Sequence, residues 1–253
     1  MSIYNTANQP PENYMATISA SPSKPSAPSE PDFGLDSLLG LVSSMITAPL
    51  YLYATLRGKF KVWDDILDGI PDALLRRPSL DVGCGRGMVL LKTAQRKQAL
   101  GAQTAPAYGI DIFSTADQTG NAPEATYKNA AAMGVVDMAV LHTASFAETL
   151  PFADGVFGLV TANLSIHNAK REGRLFAVRE MARVCAPAGR IVIVDLYGYF
   201  GDHKSVLEEC GWTGVHVSFV GFKMLYGVLP CQILTATKPE GEVAGESRLS
   251  PEE

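Results

Sequence analysis

Three glycines at alternate positions, Gly83, Gly85 and Gly87, follow an acidic residue, Asp81, at the end of the short apolar run Ser79-Leu80-Asp81-Val82. Glycines so spaced let the backbone turn with positive φ and leave no Cβ between chain and ligand. Met88-Val89-Leu90-Leu91 then opens a helix, whose first turn carries unpaired N–H groups and a partial positive charge. Such a turn suits a ligand with an anionic end and a flat adenosine body. A second apolar run, Ala107-Tyr108-Gly109-Ile110, ends in Asp111. In a βαβ unit the acidic residue closing the second strand reaches ribose hydroxyls, and a carboxylate can accept from both hydroxyls of a vicinal diol.

Spacing discriminates between ligands. A dinucleotide fingerprint places its third glycine three residues after the second. Here that position is Met88, and the third glycine comes one residue early. Nor is there a Tyr-x-x-x-Lys pair at Tyr53 or Tyr127. A nicotinamide-dependent oxidoreductase therefore stands as an alternative only. The G-x-G-x-G spacing, with Asp81 two residues before Gly83, resembles motif I of the class I S-adenosylmethionine (SAM)-dependent methyltransferases of small molecules. Leu150-Pro151-Phe152, then Phe157 leading into Leu159–Ala162, resembles that family's fourth-strand segment. So does the order of helix, Pro187-Ala188-Gly189 and buried strand.

The resemblance covers about 59–238. It implies a doubly wound α/β fold, a mostly parallel seven-stranded sheet of Rossmann-like methyltransferase type with an antiparallel edge strand. It implies SAM as cofactor, held by Asp81, Gly83, Cys84 (through its backbone) and Gly85, then Asp111 and Ile112, and finally Ser145, Phe146 and Asn163. Two positions depart from the family pattern. Phe146 stands where an adenine-facing Asp is usual, so Ser145, Glu148 or backbone must replace that hydrogen bond, or Phe146 stacks on the ring. Gly158 stands where an Asp is usual after Phe157. These departures leave open a third reading, a catalytically silent SAM-fold interaction protein.

The elements that must position these residues follow from periodicity and punctuation. Strands are expected at Ser79–Val82, Ala107–Ile110, 136–142, 159–163, 190–196, 215–220 and 232–237. Helices are expected over 61–68, 87–98, 123–133, 170–185 and 203–210. Residues 1–32, rich in Ser, Pro, Ala and Asn, read as a disordered tail, and 239–253 as a disordered acidic tail. The stretch 37–56 carries no charged residue and forms the core of an apolar helical segment, 33–58. It just reaches bilayer length, yet Pro49 interrupts it, so it reads as a lid over the cleft or as a membrane-contacting segment.

Nearly half of the 253 residues are hydrophobic, enough for one α/β domain with tails. A net charge of −5 speaks against nucleic acid as a partner, since phosphate binding wants a basic patch. Cys84, Cys185, Cys210 and Cys231 form no C-x-x-C pair, so neither a metal site nor a disulfide framework is legible. The N-terminus lacks the pattern of a secretory signal. The chain reads as cytoplasmic, with membrane association only through 37–56.

The expected chemistry is an in-line displacement that moves a methyl group to a small-molecule acceptor. The protein's part is orientation, closeness and, for an OH or NH acceptor, removal of a proton. The C-terminal ends of parallel strands form the ligand crevice, which places Asn163 to Asn168 beside the reacting methyl. His167 is the candidate catalytic base, because an imidazole takes a proton near neutral pH. Asp195 reads as strand-end structure. Tyr197, Tyr199, His203 and Tyr226 are candidates for the acceptor pocket.

Overall fold

The computed structural model describes residues 2–5, 9–34, 52–114, 120–226 and 229–240. Its strands are β1 (Ser79–Val82), β2 (Ala107–Asp111), β3 (Ala139–Thr143), β4 (Phe157–Asn163), β5 (Cys185–Leu196), β6 (Thr213–Phe219), β7 (Leu225–Tyr226) and β8 (Leu229–Thr237). They form one sheet in the order β3-β2-β1-β4-β5-β8-β6, and β7 hairpins onto β8. The five strands from β3 to β5 run parallel. The antiparallel edge is built by β8, which pairs antiparallel with both β5 and the outermost strand β6. The expected doubly wound sheet is present, and the two-residue β7 brings the strand count to eight.

Parallel strands buried on both faces are mostly apolar, and β1 and β2 are buried along their whole length, with Asp81 and Asp111 as buried acidic exceptions. Alternate side chains enter opposite layers. Leu80, Val82, Ile110, Val160 and Ala162 pack on one face; Ala107, Leu141, Leu159, Val192 and Val194 pack on the other.

The helices are α1 (Tyr14–Ala20), α2 (Lys59–Asp68), α3 (Asp72–Arg76), α4 (Met88–Ala99), α5 (Pro123–Ala132), α6 (Arg171–Val184) and α7 (Phe200–Glu209). Helices α1, α2, α4 and α5 feed the core on one face of the sheet, and α6 and α7 feed the other. A single π-helical turn, Ala54–Gly58, leads into α2. The part of the apolar segment over 35–51, and the tail beyond 240, lie outside the described residues.

Within the stretch 1–32, the described residues include a docked helix. Asn13 caps α1 by accepting from the Met15 N–H, and Met15 and Ile18 are buried against β3 and α5. Tyr4 bridges to Phe152, and its hydroxyl lies 3.0 Å from His142 Nε2. Composition alone missed this because the segment buries only a few residues, and each buries against a sheet edge that exists only once the domain is folded.

Candidate functional site

The glycine turn lies at the C-terminal end of β1. Gly83, Gly85 and Gly87 all have positive φ, +69°, +51° and +89°. A Cβ on Gly83 would stand 2.5 Å from Cβ of Ser165, so only glycine lets the end of β4 close onto this turn. Gly83, Cys84 and Gly85 line one cavity with Asp111 and Ile112 at the end of β2. Ser145, Phe146 and Asn163 line it too. Phe146 lies beside the turn, its Cε1 3.5 Å from where a Gly83 Cβ would be.

Asp81 does not line that cavity. It lies behind the turn, 4% exposed, where it accepts from the N–H of Leu90 in the first turn of α4 (3.0 Å) and from Thr161 Oγ1 (2.8 Å). Its place is therefore beneath the cavity wall, as a brace between β1, β4 and the helix start. Burial pushes its carboxyl up to about 7, against the two hydrogen bonds that pull it down. The Cys84 thiol is pushed well above its ordinary range, first by burial and then by the charges of Asp111 and Asp81.

Asp111 is already heavily used by the protein. Its Oδ2 accepts from Gly85 N (2.8 Å); its Oδ1 accepts from Phe113 N (2.6 Å) and from Asn121 Nδ2 (3.0 Å). Phe113 reaches this position with φ +54°, a left-handed conformation that costs a non-glycine residue about 1–2 kcal/mol. Leu164, on the cavity wall after β4, is held likewise at φ +49° by its N–H to Val194 O. Two strained residues therefore flank the same crevice.

At the other end, Asn163 Oδ1 accepts from the indole N–H of fully buried Trp63 (2.8 Å). Its NH₂ group is the part left for a ligand. Ser165 donates to Val82 O (2.9 Å) and so joins β4 to β1. His167 is not on the cavity wall. Its ring packs edge-on against Tyr226, which is on the wall, with centroids 5.1 Å apart. Its Nδ1 lies 2.6 Å from Asp195 Oδ1, and its Nε2 is buried with no hydrogen-bond partner. Of the four candidates for the acceptor pocket, only Tyr226 lines the cavity. Tyr197 stacks outside on Phe219, Tyr199 lies under Arg174, and His203 is fully buried against Phe200.

The residues present fit an adenosyl cofactor. A glycine cradle with no Cβ, a strand-end carboxylate and a buried carboxamide oxygen without a partner, Asn121 Oδ1, share one cavity. The sequence of residues 80–193 matches the family model described as a methyltransferase domain. A demethylmenaquinone methyltransferase from Beutenbergia cavernae is 29% identical over 154 residues, 56% of this chain and 60% of that relative. The chain thus spans less than two thirds of the length of the curated relatives it matches. Among solved structures, a geranyl diphosphate methyltransferase with GPP and sinefungin superposes with TM-score 0.56 at 15% identity, covering 89% of this chain and 99% of that one. The cyclase SpnF superposes with TM-score 0.55 at 16% identity, covering 72% and 81%. These likenesses show the fold alone, and a fold does not fix chemistry.

Several residues of the domain's cavity were not singled out from sequence. Asn121 sat unnoticed in a polar loop, and Leu164 carries no signal of its left-handed backbone. Lys59 and Phe33 reach the wall from outside the matched stretch. An Asn ten residues after the strand-end Asp, just before Pro123, was the one available hint.

Proposed function

We propose that the chain is a SAM-dependent methyltransferase that acts on a small-molecule acceptor. The observation that carries this reading is the convergence of the glycine turn, Asp111 and Asn121 on one cavity at the carboxyl ends of β1 and β2, within a methyltransferase domain. When bound, SAM supplies a methyl group already activated by its sulfonium. Gly83 and Gly85 would let the backbone approach the ligand's amino-acid end, Asp111 would hold the ribose, and Phe146 would lie along the adenine. Asn163, fixed by Trp63, would orient the ligand near the acceptor with its remaining N–H groups.

His167 is the proton acceptor in this reading. A carboxylate only accepts, so Asp195 fixes the Nδ1–H tautomer and leaves a lone pair on Nε2. Tyr226, edge-on against that imidazole, lines the cavity, and in this reading its ring turns aside to let the acceptor's OH or NH reach Nε2.

The apolar segment 37–56 serves the acceptor side in the same reading. Its described end, Ala54–Gly58, packs on Gly221–Lys223 and on β7, which carries Tyr226. Leu52, Tyr53 and Leu56 are exposed there, which favours a second role in touching a lipid surface. No described helix is long and apolar enough to cross a membrane.

The test of the function is transfer. Protein incubated with methyl-labelled SAM and a small-molecule cell extract should yield labelled product, and an Asp111→Ala control should not. Equal label in both samples would remove the proposal.

A further inference from the structure

Two ribose hydroxyls need two acceptors, and Asp111 has room for one. Each carboxylate oxygen offers two lone-pair sites. Oδ1 has filled both, with Phe113 N at 2.6 Å and Asn121 Nδ2 at 3.0 Å. Oδ2 has filled one, with Gly85 N at 2.8 Å. A single site on Oδ2 is left.

Asn121 holds the missing acceptor. It is 4% exposed and lines the cavity beside Asp111. Its amide orientation is not ambiguous: a carboxylate cannot donate, so the group facing Asp111 must be the NH₂. The carbonyl oxygen, Oδ1, is what remains, and it is buried with no hydrogen-bond partner. An unpaired buried acceptor is costly, so a site of this kind discriminates sharply for a ligand that brings a donor.

We infer that Asn121 is a ligand-binding residue: its Oδ1 accepts from one ribose hydroxyl of the adenosyl cofactor while Asp111 Oδ2 accepts from the other. The inference rests on the proposed cofactor. It makes the ribose clamp a carboxylate–carboxamide pair, in which Asn121 both orients Asp111 and completes it. A ribose lacking either hydroxyl therefore leaves a different protein group unpaired.

Calorimetry with S-adenosylhomocysteine and its 2′-deoxy and 3′-deoxy analogues tests this. On the wild-type protein each analogue should bind about fivefold or more weakly than the parent compound, the weight of one net hydrogen bond. In Asn121→Ala one analogue should bind as tightly as the parent, and the other should still be weaker. If either analogue binds the wild type as tightly as the parent, the inference is overturned without any variant. If Asn121→Ala weakens all three ligands equally, Asn121 only braces Asp111, and the inference is also overturned. If the parent compound does not bind the wild type at all, it is the proposed cofactor that fails first.

Discussion

Asp195 holds His167 at two points. Its Oδ2 accepts the backbone N–H of His167 at 3.1 Å, and its Oδ1 lies 2.6 Å from the ring Nδ1. The same Oδ1 accepts from Leu196 N at 2.8 Å, so both carboxylate oxygens are fixed before any ligand arrives. The imidazole is thereby oriented, with its Nε2 unpartnered and its ring edge-on to Tyr226.

Replacing either member should separate chemistry from binding. His167→Gln should lower kcat by roughly 10²–10⁴-fold. Asp195→Asn should do nearly as much, because an amide can donate to Nδ1 and turn Nε2 into the protonated nitrogen. Affinity for SAM should be unchanged in both. Turnover close to wild type in His167→Gln would remove the base from the mechanism.

Asp81 predicts a pH effect on stability. Its carboxyl, raised to about 7 mainly by burial, holds its proton more tightly in the folded chain than at the ordinary 3.8. Its contribution to stability is therefore full below the unfolded value and is lost as pH rises through 7. Asp81→Asn keeps the shape and an acceptor for Leu90 but has no proton to lose. Measured by urea midpoint, the variant should gain on the wild type between about pH 4 and pH 7. A difference that stays constant over that range would contradict the assignment.

The N-terminal helix should be worth measurable stability. Asn13 Oδ1 accepts from Met15 N and from Leu141 N, so one side chain caps α1 and pins it to β3. Asn13→Ala should cost about 1 kcal/mol, read as a lower thermal midpoint. No change would mean that α1 does not stay docked in solution.

Gly58 is where the apolar segment meets the turn before β7. A Cβ there would fall 1.8 Å from the carbonyl oxygen of Lys223. Gly58→Ala should force the two apart, cost about 1–3 kcal/mol and impair the acceptor side while sparing cofactor affinity. Calorimetry and a thermal melt on the same sample check both halves. An unshifted melt would show that the contact is not made.

Much of the fold was written in periodicity. The run Ser79–Val82 could be buried only as a strand, and Pro123 marked the first residue of α5. The glycine spacing and Asp111 pointed to residues that do line one cavity. Sequence could not show that Asp81 lies off the cavity wall, because an acidic residue beside a glycine turn reads the same whether it braces a helix or meets a ligand. It could not show Asn121 either, whose meaning depends on a loop folding back to Asp111. Met15 and Ile18 were invisible for a related reason: two apolar residues signal nothing until the surface that receives them exists.

The most direct test of the central claim is calorimetry of SAM with the full chain and with Asp111→Ala. Wild type should bind saturably, and the variant should bind more than tenfold more weakly, since a charge-assisted hydrogen bond contributes about 1.5–3 kcal/mol. Absence of saturable binding, or an unchanged affinity in Asp111→Ala, would contradict the account.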